Sequence, residues 1–538
     1  MRSSVAVAAI LLAGSLLAGI GFCALLPPFE GFDETAHYSY MAQIAETGTW
    51  PRLNGPMSAD IDDYLNAAPT PVGGRWSYWT FFRAPAATQQ AGANAIHGPR
   101  DVARAWRAGA ISNWEGQHPP LYYALFAPLW RLSKGWSIYA QIVLLRGVSY
   151  LFAWGGLAIV TIAIARGAAT EPNSGLLILG PPLWPALFPM WFPEMARLGN
   201  DSLILLQLAL AFVAMQRAFG PRAQTRDFAL LGTLCGLALL TKATALPFAC
   251  ALGFVLARRI WRSAGTDAVR PAAVHAAAFG LMVLAVAGWW YAKNLVDYGS
   301  LFVSADNVAL AQQGGLLDGL RKNLSLPTSL VGLASIVRSF AWTGTWSFVF
   351  LPRAVEFPLS VLVVIVAIGW IWQTYKENRL SETESVSVLT LALFGVALVY
   401  HMLVFIALYA TSTPGDWYLH SLAPLLALFV AIGLDRAATF DWARRLIGAL
   451  VVYPVLFLVF ALAFHLSYFD GCLRESVGDH RYGLSSIASC AVMPHEIMSH
   501  LAVLGDPAVA IPLFGIGCVI MMAGVLLFAW PRFFAAAR

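Results

Sequence analysis

Apolar runs of about 20 residues recur from one end of this 538-residue chain to the other, and no other feature limits its fold as strongly. A run of that length, wound as a helix rising about 1.5 Å per residue, matches the roughly 30 Å hydrocarbon core of a bilayer. Inside hydrocarbon every backbone N–H and C=O has to be satisfied within the segment, so the spans are helices. We place them near 5–26, 140–166, 174–193, 200–217, 227–242, 244–259, 271–296, 356–373, 386–409, 417–434, 446–468 and 508–530. The expected fold is an all-α polytopic membrane protein with about twelve transmembrane helices.

A hydrophobic share of 59% against 12% charged residues supports this, since soluble globules run at roughly 45–50% and about 25%. The net charge of +5 carries no nucleic-acid signal, because the basic residues sit in short clusters between apolar runs. Those clusters are Arg166; Arg217, Arg222 and Arg226; Arg258, Arg259, Arg262 and Arg270; Lys376 and Arg379; Arg436, Arg444 and Arg445; and Arg532 and Arg538. Basic residues mark cytoplasmic ends, and the alternation then places both termini in the cytoplasm. The first apolar stretch lacks a small-residue cleavage site and reads as an uncleaved span. Three larger loops, 27–139, 297–355 and 469–507, fall on the opposite side. No separable soluble domain appears, so residues 1–538 read as one membrane domain whose working surface is extracytoplasmic. Cys472 and Cys490 share the third loop and can pair if it faces an oxidising compartment.

Two stretches of the first loop are amphipathic and too short to cross a bilayer: Asp33 to Thr47, and Pro119 to Leu132 with Tyr122, Tyr123, Phe126 and Trp130 on one face. Both fit helices lying at the membrane interface. Asp33 and Glu34 open the first. They can serve as helix N-terminal carboxylates, but a carboxylate at this boundary is also partly desolvated, which raises its pKa and makes it a usable base. Asp33 is the first choice and Glu34 the second, with His37 on the same helix as a substrate contact. His118 and Tyr122, on the second piece, project toward the same boundary. Glu194, Arg197, Asn200 and Asp201 cluster in a tight turn, where Asn200 or Asp201 can equally be a helix N-cap. Lys242 sits at an extracytoplasmic hairpin tip, where it can snorkel or meet an anionic headgroup. Lys293 and Asn294 end the seventh span as further polar candidates. Pro414 to His420 reads as a turn before the tenth span.

These residues resemble a family. Phe32-Asp33-Glu34-Thr35-Ala36-His37-Tyr38 with Gly48-Thr49-Trp50-Pro51, His118-Pro119-Pro120-Leu121-Tyr122-Tyr123, Asn200-Asp201, Leu240-Thr241-Lys242, Trp290-Tyr291-Ala292-Lys293-Asn294 and Trp417-Tyr418-Leu419 follow one another as in the glycosyltransferase C (GT-C) superfamily. The branch is the bacterial one related to protein O-mannosyltransferases and the lipid A aminoarabinose transferase. The resemblance implies two juxtamembrane helices in the first outer loop and a polyprenyl-phosphate-linked sugar donor. It also implies a hydroxyl-bearing envelope glycan, lipid or protein as acceptor, with Asp33 as base. Lys242 is similar in placement to basic residues that hold the donor phosphate, and His118 stands where the aminoarabinose branch has a lysine.

The inventory agrees chemically. A phosphate on the anomeric carbon leaves readily once a cation stabilises it, whereas the attacking hydroxyl needs a carboxylate to take its proton. Lys242, His118, Arg197 and Lys293 are the candidate phosphate ligands; His37, Tyr122, Asn200, Asp201 and Asn294 are candidate substrate contacts. No cofactor is named with certainty, and the inventory leaves room for a divalent metal. A lipid-linked glycan flippase or transporter, or an O-antigen-type ligase, is the alternative reading.

Overall fold

The computed structural model describes residues 2–534 except 72, 168–173, 378–379, 413–415, 475–481 and 491–493. Arg379, Pro414, Gly415 and Arg538 therefore lie outside the described residues. Among the described residues, ten helices are long and apolar enough to cross a membrane, from Ser3–Leu25 to Pro507–Phe533. An eleventh results if Leu316–Asn323 and Leu326–Ala341, bent by 109° at their junction, count as one span.

Two of the twelve expected spans account for the difference. The stretch 174–193 breaks into Ser174–Leu177, Gly180–Leu187 and Trp191–Met195. Pro181, Pro182, Pro185, Pro189 and Pro193 punctuate it, and each removes a helix donor. The stretch 227–242 is one continuous helix, Thr225–Thr241, but its 17 residues fall short of the roughly 20 a bilayer core requires. It stops at Lys242, whose backbone is extended (φ −159°), before the chain resumes as Leu246–Arg262.

The first and last membrane helices pack together through small residues. A Cβ on Gly14 would lie 2.6 Å from the backbone nitrogen of Met521, and one on Gly517 would lie 2.2 Å from that of Ala18. Only glycine allows two backbones that close, the usual device of helix pairs in lipid.

The first large loop, 27–139, folds into short elements. Glu34–Thr47 and Leu121–Leu132 lie side by side, with Tyr40 and Tyr123 stacked at 3.7 Å. Pro56–Ser58 and Ala108–Ser112 form a small antiparallel pair that alternation in the sequence did not announce. In the third loop, Cys472 and Cys490 are joined as a disulfide with their Cα atoms 5.8 Å apart.

Candidate active site

The loop between the first membrane helix and Glu34–Thr47 is fixed from beneath by Arg146 of the Ile138–Gly167 helix. Arg146 donates from Nη1 to the carbonyls of Cys23 (3.1 Å) and Leu26 (2.7 Å), and from Nη2 to that of Pro27 (2.8 Å). Its Nε and Nη2 grip Glu34 Oε1 and Oε2 at 2.7 and 2.6 Å. Glu34 also accepts from the backbone N–H groups of Gly31 (3.0 Å) and Leu198 (2.8 Å). All five guanidinium donors and four carboxylate lone pairs are thereby used. Glu34, expected as a second catalytic carboxylate, is closed to substrate; it clamps the loop to the helix bundle.

Its neighbour is held differently. Asp33 occupies the N-cap position at φ 60°, makes no side-chain cap hydrogen bond, and instead accepts from Trp114 Nε1 at 2.6 Å through Oδ1. A left-handed non-glycine residue at a helix start is uncommon, and Phe29, four residues earlier, shares it at φ 65°. Asp33 Oδ2 makes no hydrogen bond among the described residues. The carboxylate lines a cavity of about 100 Å³ with Trp114, Trp346, Thr35 and Thr70. Burial, and then the nearby charge of Glu115, raise Asp33 to about 7, against the opposing pull of Arg197, Trp114 and Lys242.

A charged network lies close by. Arg197 donates to Glu194 from Nε (3.0 Å) and Nη2 (2.9 Å), to Asp201 Oδ2 (2.9 Å), and to the carbonyl of Phe32 (2.8 Å). It is 1% exposed, so this expected phosphate ligand already has its donors engaged. Asp201, one of the two cap candidates, turns its carboxylate to Arg197 and Lys242, whereas Asn200 stands at the cap without a capping bond. Lys242 Nζ gives one N–H to Asp201 Oδ2 at 2.7 Å and stands 4.3 Å from the centre of the Tyr418 ring, a cation–π contact. Its other N–H bonds make no hydrogen bond among the described residues.

Glu115, which sequence reasoning passed over, joins the two amphipathic helices. Its Oε2 lies 3.0 Å from His118 Nε2, 3.5 Å from His37 Nδ1 and 3.3 Å from the Tyr123 hydroxyl. Burial alone would raise Glu115, but the imidazoles of His118 and His37 outweigh it and hold it below the carboxylate range. His37, buried, is pushed down to about 3 and is neutral. The neutral ring can donate from Nδ1 to Tyr123 Oη at 2.9 Å and accept at Nε2 from Arg197 at 3.5 Å. Asn200 Nδ2 reaches the same tyrosine oxygen at 3.5 Å, while its Oδ1 is buried with no hydrogen-bond partner among the described residues. The one available signal for Glu115 was its position three residues before His118.

The remaining candidates stand apart. Tyr122 is buried and shares a hydrogen bond with Ser149 of the Ile138–Gly167 helix, a packing role. Lys293 pairs with Asp297 at 2.8 Å and lies over Trp290; Asn294 Nδ2 donates to the carbonyl of Leu301 at 3.4 Å. Neither contacts the Asp33 network through any of these bonds. Among the described residues, no group of three or more His, Cys, Asp or Glu side chains is arranged to hold a metal ion.

Residues 199–296 match the model of the dolichyl-phosphate-mannose-protein mannosyltransferase family. The resemblance to the GT-C superfamily is met in this segment. It contains Asn200, Asp201, Lys242, Lys293 and Asn294, while Asp33 and the rest of loop 27–139 lie outside it. No curated protein matches the chain. Among solved structures the chain is similar to ArnT from Cupriavidus metallidurans bound to undecaprenyl phosphate, at 13% identity and a TM-score of 0.43, over 97% of this chain and 77% of that one. It is similar too to the oligosaccharyltransferase AglB from Archaeoglobus fulgidus in complex with an inhibitory peptide and a dolichol-phosphate. That likeness has 12% identity and a TM-score of 0.37, over 95% of this chain and 55% of that one.

Proposed function

We propose that the protein is an inverting glycosyltransferase moving a sugar from a polyprenyl-phosphate donor to a hydroxyl of a cell-envelope acceptor. The whole chain acts as one domain in a bacterial inner membrane, with both termini in the cytoplasm. The site opens to the extracytoplasmic side, and Glu34–Thr47 and Leu121–Leu132 lie at membrane level. One observation carries the reading: Asp33 is an uncapped carboxylate lining a cavity, with Oδ1 held by Trp114 and no hydrogen bond on Oδ2 among the described residues, and Lys242, whose charge acts on it, gives Asp201 only one of its N–H bonds. The family description, which names a polyprenyl-phosphate sugar, supports the donor class.

In the reaction the acceptor O–H attacks the anomeric carbon from the face opposite the phosphate. The new C–O bond forms as the sugar–phosphate C–O bond breaks, and the polyprenyl phosphate leaves with the electron pair. The proton passes to Asp33 Oδ2, which a pKa of about 7 suits as a base near neutral pH. Lys242, with His118 as second donor, meets the departing phosphate. Arg197 orients Asp201 and so positions Lys242.

The donor half is tested by binding. Native mass spectrometry of the purified protein should detect undecaprenyl phosphate, and Lys242→Met should lower its affinity by about tenfold or more, the loss of one charge-assisted contact. Equal binding by Lys242→Met would remove Lys242 from the donor site.

A further inference from the structure

The cavity beside Asp33 has a second wall that the donor chemistry does not use. Trp114 and Trp346, from two different outer loops, lie with ring centroids 6.3 Å apart and planes within 21°. Both line the cavity. Trp114 is pinned by its bond to Asp33, and Trp346 is pinned through its own backbone. Its N–H donates to the carbonyl of Glu30 at 3.0 Å, and the flanking Thr345 hydroxyl and Ser347 N–H donate to Glu30 Oε1 at 2.6 and 3.0 Å. Gly344 (φ 83°) and Phe348 (φ 47°) bracket the indole with left-handed backbone. For phenylalanine that conformation is strained, and strain of this kind persists where the surroundings fix it. The backbone that carries Trp346 is thus held in place before any ligand arrives, and its ring packs against Phe32 at 5.9 Å.

Opposite chemistry is present in the same cavity. Thr70 is 5% exposed, and its Oγ1 is buried with no hydrogen-bond partner among the described residues. Its backbone is fixed by donation to the carbonyl of Trp76 at 3.1 Å, and the residue lines the cavity. A buried hydroxyl left unpaired is destabilising, and a hydroxyl-bearing ligand would relieve that. The polar side chains here are Asp33, Glu34, Thr35 and Thr70; Glu34 is saturated by its clamp.

We propose that this cavity is the acceptor subsite and that it takes a sugar ring. The ring's C–H face lies on the Trp114–Trp346 wall, one hydroxyl bonds to Thr70 Oγ1, and the reacting hydroxyl bonds to Asp33 Oδ2. The acceptor is then a glycan or glycolipid rather than a serine or threonine of a protein. A pyranose or furanose offers what this wall selects, a flat apolar face with hydroxyls along its rim. A serine or threonine side chain offers one hydroxyl and too little apolar surface to cover two indoles. The inference rests on the transferase reading for the role of Asp33, but the ring-binding wall can be tested by itself.

The test is saturation-transfer NMR on the full-length protein in detergent, with methyl glycosides of common hexoses and pentoses as probes and a capped threonine tripeptide as counterpart. At least one glycoside should bind. Trp346→Ala should weaken it about tenfold, the scale of a lost aromatic contact, and Thr70→Val about threefold. The tripeptide should give no Trp346-dependent signal. Glycoside binding unchanged in both variants, no glycoside binding at all, or Trp346-dependent binding of the tripeptide alone would overturn the proposal. If Trp346→Ala does not fold, Thr70→Val, nearly equal in volume, decides. Undecaprenyl phosphate binding is measured on the same preparations. Its presence without glycoside binding defeats the acceptor subsite alone, and glycoside binding without it defeats the donor reading alone.

Discussion

Replacing Glu34 by glutamine removes one charge from a pair in which neither side chain meets water, both being 0% exposed. Arg146 would keep its charge and three backbone carbonyls but lose the carboxylate it grips. Breaking a buried pair from one side costs roughly 3–5 kcal/mol, because the remaining ion is left uncompensated. Geometry adds to this. The new amide N–H₂ would face an Arg146 donor together with the N–H of either Gly31 or Leu198, donor against donor. We therefore expect Glu34→Gln to lower the apparent melting temperature by several degrees, followed by tryptophan fluorescence in detergent, and to reduce the yield of monodisperse protein. Glu34→Leu combined with Arg146→Leu should recover part of that loss, since the pair is removed together. A Glu34→Gln protein with wild-type melting and no transferase activity would refute the reasoning and return Glu34 to the chemistry.

Glu30 gives a pH-dependent counterpart. Burial raises it from 4.5 to about 7, against the hydrogen bonds from Ser347, Thr345 and Tyr78. A carboxyl raised on folding stabilises the protein fully below its unfolded pKa, and that contribution is lost as pH rises through the folded one. Wild type should thus lose roughly 3 kcal/mol between about pH 4.5 and 7 that Glu30→Gln does not lose; parallel melting profiles from pH 5 to 8 would contradict this. Non-reducing peptide mapping should recover Cys472 linked to Cys490, whereas free thiols at both would refute the pairing.

Much of the framework was legible because membrane spans announce themselves by length and apolarity, which local sequence records. The Trp114–Asp33 bond, the Arg146–Glu34 clamp and the Glu115 hub were not, because each joins residues far apart in the chain or across two loops. Arg146 illustrates the difficulty: within an apolar helix it read as part of the span, and only the folded loop shows five acceptors waiting for it. Glu34 shows the converse, since adjacency to Asp33 suggested a shared task that the turn at φ 60° divides. Arg197 and Lys242 were expected as phosphate ligands, but the sequence could not say that Asp201 already engages both. The proline-broken stretch after residue 174 misled the span count through its composition, which is apolar enough for a membrane but cannot continue as a helix.

The central claim is that Asp33 takes the proton from the acceptor hydroxyl, and the pH profile of sugar transfer tests it most directly. Radiolabelled sugars carried on undecaprenyl phosphate would be incubated with membranes containing the protein, and transfer into membrane material measured from pH 5 to 9. A base at about 7 predicts a rate that rises with pH, bends near 7 and levels above it. Asp33→Asn, which keeps an oxygen for Trp114, should lower the plateau by roughly 10²–10⁴ and flatten the profile, with undecaprenyl phosphate binding retained. Transfer by Asp33→Asn at the wild-type rate, with the same bend, would contradict the account.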